Sequence, residues 1–105
     1  MESLECLVKF WKRITTVRVT DSALVCRHSC FLFSAIIKGD GAGDMEVDIY
    51  DGHDTDGEIK VSLRRSAADT MPISFNPPAY FSKGLYIYHR GNMQSATVQF
   101  MIEPD

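Results

Sequence analysis

The residues best equipped for chemistry lie together in the stretch YDGHDTDGE, residues 50–58. It holds Asp51, Asp54, Asp56, Glu58 and His53. An oxygen-rich loop of this kind raises calcium first. An EF-hand loop needs acidic ligands at its first, third and fifth positions, Gly at the sixth and Glu at the twelfth. With Gly57 as the sixth position, Asp54 and Asp56 fit. The first and twelfth positions then fall on Gly52 and Leu63, so the ligands that fix the loop ends are missing. The flanking residues alternate in the manner of strands rather than helices. The stretch therefore reads as a hairpin tip, in which Asp and Gly supply side-chain-to-backbone bonds and positive φ. Its carboxylates are expected mainly in water. Asp51 and Glu58 could face each other across the hairpin as a glycosidase-like acid pair. Such pairs sit in clefts, whereas a hairpin tip projects into solvent.

Two other constellations carry less. CRHSC spaces Cys26, His28 and Cys30 by two residues. On one straight strand all three face one side, roughly 6–7 Å apart in succession, which is awkward for a tetrahedral zinc ion. The simpler reading is a turn at RHS with two small buried thiols on adjacent strands. His28, His53 and His89 each fall near a turn or strand end, and no motif such as GxSxG singles out a nucleophile. The expectation is a protein without catalytic residues, bound metal or cofactor.

The chain that must position these residues has 105 residues, a hydrophobic fraction of 45% and a net charge of -3. That length suits one domain with a modest core. The acidic balance argues against a nucleic-acid or membrane-surface partner. The basic groups, Arg64 with Arg65 and the Lys9, Lys12, Arg13, Arg18 cluster, read as solvated. No apolar run approaches the roughly 20 residues of a spanning helix. The start, MESLECLVKFWKR, lacks the pattern of a secretory signal, so synthesis in the cytoplasm is expected. Cys6, Cys26 and Cys30 make an odd count and no complete disulfide framework, which fits reduced thiols.

From residue 15 onward the hydrophobic period is mainly two. Val17 and Val19, Met45, Val47 and Ile49, Ile59, Val61 and Leu63, Leu85 and Ile87, and Ala96, Val98, Phe100 and Ile102 alternate with more polar neighbours. CFLFSAIIK is apolar on both faces, as a central strand requires. KGDGAGD, DGHDTDG, RSAADTMP, NPPAYFSKG and HRGNMQS punctuate the pattern, the last as a hairpin tip. Pro77 and Pro78 cannot lie inside a central strand. Seven or eight short strands predict an antiparallel β-sandwich of jelly-roll or immunoglobulin-like type over residues 15–105. Residues 1–14 form a helix or arm. Leu4, Leu7, Val8 and Trp11 make a helical stripe, although FWKRITTV could equally begin a strand. The stripe packs on its own domain or docks on a neighbouring subunit. With Leu85 and Ile87 inward, Tyr86 and Tyr88 point to the opposite face. Together with Tyr80 and Phe81 they form an aromatic patch suited to protein contact or to stacking a sugar.

Two segments, CFLFSAIIKGDGAGDMEVDIYDGHDTDG and PISFNPPAYFSKGLYIYHRGNMQSATVQF, resemble small β-sandwich structural proteins of phages and prophages. The shared features are Tyr50-Asp51-Gly52 at a strand end, residues 75–87 with the pattern F-x-P-P-x-x-F-x-x-G-L-Y-I, and a last strand over residues 96–102. None of these motifs is catalytic. The resemblance implies a virion-associated component, such as a capsid decoration or a head or tail accessory protein. It further implies a homo-oligomer, typically a trimer, docked on a larger viral-type shell or tail. Leu4, Leu7, Val8, Trp11, Tyr80, Phe81, Tyr86 and Tyr88 are then the interface residues. The alternative is a carbohydrate- or calcium-binding β-sandwich.

Overall fold

The computed structural model describes residues 13–65 and 70–104. Eight strands account for most of them: β1 (Thr15–Val19), β2 (Ala23–Cys26), β3 (Cys30–Gly39), β4 (Met45–Asp51), β5 (Glu58–Arg65), β6 (Thr70–Phe81), β7 (Leu85–Gly91) and β8 (Met93–Ile102). They form two antiparallel four-stranded sheets, ordered β1-β8-β3-β6 and β2-β7-β4-β5. The all-β, two-sheet expectation is met. There is no helix among the described residues. The expected helix over residues 1–14, with Leu4, Leu7, Val8 and Trp11, falls almost wholly on residues outside those described. Arg13 and Ile14 enter β1 as a turn and an irregular residue.

The pairing has a simple rule. β1 pairs with β8, β2 with β7, β3 with β6, and β4 with β5. The chain thus behaves as one long hairpin whose tip is the β4–β5 turn, rolled so that successive strand pairs fall in alternate sheets. Among the described residues, only β4 and β5 are neighbours both in sequence and in a sheet. HRGNMQS is therefore not a hairpin tip. It is a corner at which the chain leaves the second sheet at Gly91 and enters the first at Met93, with Asn92 at φ 51°. A short Asn tolerates that left-handed conformation because its amide finds local partners. Here Nδ2 donates to the Asp44 carbonyl at 3.2 Å, and the Asn92 carbonyl accepts from the Asp40 N–H at 2.8 Å.

Alternation explains the core. Met45, Val47 and Ile49 of β4, Leu85 and Ile87 of β7, Leu32, Ala35 and Ile37 of β3, and Ala96 and Val98 of β8 are fully buried in a single cluster. Every strand contributes, with Val17 and Val19 of β1 packed at its margin. β3 lies between β8 and β6 in its sheet, but its two faces differ: Cys30, Leu32, Ala35 and Ile37 are buried inward, whereas Ile36 on the outer face is 47% exposed. The segment NPPAYF is part of β6 rather than a connection. It is tolerated because β6 is an edge strand, where a proline's missing N–H breaks no second ladder. Leu32 pairs with Ala79 and Ser34 with Ser74, so residues 75–78 form an irregular excursion opposite Phe33.

Candidate functional site

Two places gather polar and aromatic side chains. The first is the end of the sandwich where the β2–β3, β4–β5 and β6–β7 connections meet. Asp51, at the close of β4, is buried. Its Oδ2 accepts from the Ser82 N–H at 3.1 Å and the Ser82 hydroxyl at 3.0 Å, and its Oδ1 accepts from the Lys83 N–H at 2.8 Å. Burial pushes the carboxyl up. The N–H groups of Lys83 and Ser82, the Ser82 hydroxyl and the Gly84 N–H outweigh it and hold Asp51 below the usual carboxylate range. Asp51 is thus the exception to the expectation that the carboxylates of this stretch lie mainly in water. Asp51 and Glu58 do stand opposite each other in register, but Asp51 is consumed as the anchor of the β6–β7 turn. Asp54 and Asp56 are exposed as expected, with Asp54 Oδ1 accepting the Asp56 N–H at 2.9 Å.

His53 completes the junction. Its Nε2 lies 3.0 Å from the Arg27 carbonyl and 2.9 Å from the Lys83 carbonyl. Two acceptors around one ring nitrogen require an N–H there, shared between them. One side chain of the β4–β5 turn thereby ties both neighbouring connections. A cleft of about 480 Å³ remains, lined by Arg27, Gly52, His53, Asp54, Asp56, Gly57 and Lys83. No group of three or more His, Cys, Asp or Glu side chains is placed to hold a metal ion among the described residues. CRHSC is bent, with Cys26 ending β2 and Cys30 opening β3. The turn reading is right about the bend and wrong about adjacency, because β2 and β3 lie in different sheets.

The second place is the outer face of the β2-β7-β4-β5 sheet. Residues paired across the strands share a face, so Tyr50, Tyr86 and Leu24 lie together, and Asp48 lies between Tyr88 and Ser62. The rings of Tyr50 and Tyr86 meet edge-on with centroids 6.4 Å apart. Beside them Asp48 is inaccessible to solvent, covered by the Arg64 and Arg90 side chains, each 46% exposed. Arg90 donates from Nε at 3.0 Å and Nη2 at 2.5 Å to Asp48 Oδ2. Ser62 donates to Oδ1 at 2.8 Å, and Arg64 at 3.3 Å. Desolvation pushes the Asp48 carboxyl up, but the hydrogen bonds from Arg90, Ser62 and Arg64 and the charge of Arg90 bring it below the ordinary value. The pair lifts Arg90 in turn. Exposed Ile59 stands opposite Tyr50 at the edge of this face.

The four expected interface aromatics do not form one surface. Tyr86 and Tyr88 are half-buried on the outer face of the second sheet, pointing away from Leu85 and Ile87 as anticipated. Tyr80 is exposed on the outer face of the other sheet. There its ring packs 5.1 Å from that of Phe31, and its hydroxyl donates to Glu103 Oε2 at 2.7 Å. Phe81 is wholly inside the core. Consecutive strand residues must face opposite ways, so Tyr80 and Phe81 could not both be surface residues. Tyr50, Asp48, Arg64 and Arg90 were not anticipated. The position of Asp48 between Val47 and Ile49 marks it as outward-facing. Its arginine partners depend on strand register, which alternation does not encode.

The sequence matches no protein-family model, and no curated protein matches it.

Proposed function

We propose that this chain is a jelly-roll β-sandwich acting as a non-enzymatic assembly module of the phage-like virion type, docking through the outer face of its second sheet. The rolled-hairpin strand order supports the jelly-roll assignment. That architecture serves viral capsids, but also lectins and cupins, so the fold alone does not choose among them. The observation that carries the reading is the pairing of half-buried Tyr86 and Tyr88, backed by buried Tyr50, with two half-exposed arginines fixed by Asp48. Tyrosine and arginine dominate protein-contact hot spots, and an arginine already held in place loses little freedom on binding. Self-association is the simplest use of such a face. Light scattering over a concentration series tests it. A mass rising to a discrete oligomer is expected, and replacing both Tyr86 and Tyr88 by Ala should weaken association by about tenfold or more. A strict monomer at every concentration overturns self-association. An oligosaccharide that raises the melting temperature by mass action, and loses that effect in the Tyr variant, would transfer the face to the carbohydrate-binding alternative.

A further inference from the structure

Cys26 and Cys30 are separated by only Arg27, His28 and Ser29, yet they belong to opposing sheets. Cys26 pairs with Leu85, and Cys30 with Phe81 and Ile102. Leu85 and Phe81 are fully buried, and residues paired across strands share a face, so both cysteines look into the core from opposite sides. They do so at the corner where the chain passes between the sheets. The Cys26 thiol donates to the His28 carbonyl at 3.4 Å, which turns it back along the connection toward Cys30. Both cysteines are free and buried. The two thiols also sense each other. Burial first, and then the charge and hydrogen bond of Cys26, push the Cys30 thiol up to about 12.

We propose that Cys26 and Cys30 form a redox pair that closes to an intersheet disulfide on exchange with a small-molecule disulfide such as oxidised glutathione. The Cys26 thiolate attacks one sulfur of the glutathione disulfide, whose S–S bond breaks and releases one glutathione thiolate. The Cys30 thiolate then attacks Cys26 sulfur in the mixed disulfide and displaces the second glutathione. Two protein thiols are oxidised, one glutathione disulfide is reduced to two thiols, and the two protein protons end on the glutathiones. Burial and the raised Cys30 make closure slow in the folded chain, so the bridge forms over hours rather than seconds. Its equilibrium is nevertheless favoured by a fold that turns both thiols into one core at the corner between the sheets. Closure also constrains residues 27–29, and so the Arg27 carbonyl that His53 holds at the lip of the cleft.

The test uses the full chain carrying Cys6→Ser, which removes the third thiol. The protein is equilibrated with mixtures of reduced and oxidised glutathione, quenched in acid and alkylated. The bridge is read as a mass lower by two hydrogens and mapped by proteolysis. The same equilibrium is measured in concentrated guanidinium. The expected result is a bridge favoured at least about tenfold more in the folded than in the unfolded chain, with a raised melting temperature. A ratio near one or below it, or glutathione adducts in place of the bridge, overturns the proposal. Should Cys6→Ser not fold, the wild-type chain mapped peptide by peptide gives the same folded-to-unfolded ratio, and the same values support or overturn the bridge.

Discussion

At the scale of single residues, two buried carboxylates do most of the organising, and they do it differently. Asp51 gathers donors from one turn, whereas Asp48 gathers side chains from two neighbouring strands. Asp51→Ala would orphan the N–H groups of Ser82 and Lys83. Both residues are exposed, so water can reach part of what is lost, and the expected cost is about 1–2 kcal/mol in urea unfolding. Arg90→Ala leaves Asp48 desolvated with Ser62 and Arg64 as its donors. A loss of stability is expected, with acid unfolding moved to higher pH. The sign follows from linkage. The folded values of Asp48 and Asp51 lie below those of the unfolded chain. Their contribution is therefore complete above the unfolded value, about 4, and is lost as pH falls through the folded values. Arg90→Ala raises the folded value of Asp48 and so brings that loss to higher pH. Denaturant unfolding at a series of pH values in both proteins measures it.

At the scale of elements, the connections matter as much as the strands. Three of them meet at one end through Asp51 and His53, and the chain there approaches itself closely. A Cβ on Gly84, which sits at φ +156°, would lie 2.7 Å from the Cys26 carbonyl oxygen and 2.9 Å from that of Gly52. At Gly41 the φ is +86° but nothing lies within 4 Å of the added carbon. Gly84→Ala should therefore cost more than Gly41→Ala, about 2–4 kcal/mol against about 1 kcal/mol, because it adds backbone collision to conformational strain. Thermal unfolding of the two variants side by side checks the order. The side-chain-to-backbone bond inside DGHDTDG was legible in the sequence because Asp acts locally, but the positive φ expected there falls instead on Gly41, Gly84 and Asn92. The role of Asp51 was not legible, since its donors lie about thirty residues further along the chain.

At the scale of the whole molecule, strand order decides which residues meet. The rolled hairpin puts Tyr86 and Tyr88 on one outer face and Tyr80 on the other, so any docking surface built from all of them would need two different partners or two copies. It also brings the two thiols of CRHSC into opposite walls of one core. On these groups stability should be highest between about pH 4 and 9. It falls on the acid side through Asp48 and Asp51. It falls again on the alkaline side, because Cys30 is raised from 9.0 to about 12 and the unfolded chain releases that proton first. A pH series of melting temperatures should show this plateau, and Cys30→Ala should flatten its alkaline edge.

Period-two alternation is a local property, so the sequence alone determined that residues such as Val47 and Ile49 face inward while Asp48 and Tyr50 face outward. Local chemistry likewise marked the glycine-rich turns and kept Pro77 and Pro78 out of a central strand. Which strands pair is a long-range matter, in which loop closure and the shared core select one arrangement among several with the same alternation. Only the tertiary structure could therefore give Asp48 its arginines and bury Asp51 in a turn from another part of the chain. It also separated Tyr80 from Tyr86 and placed Phe81 in the core.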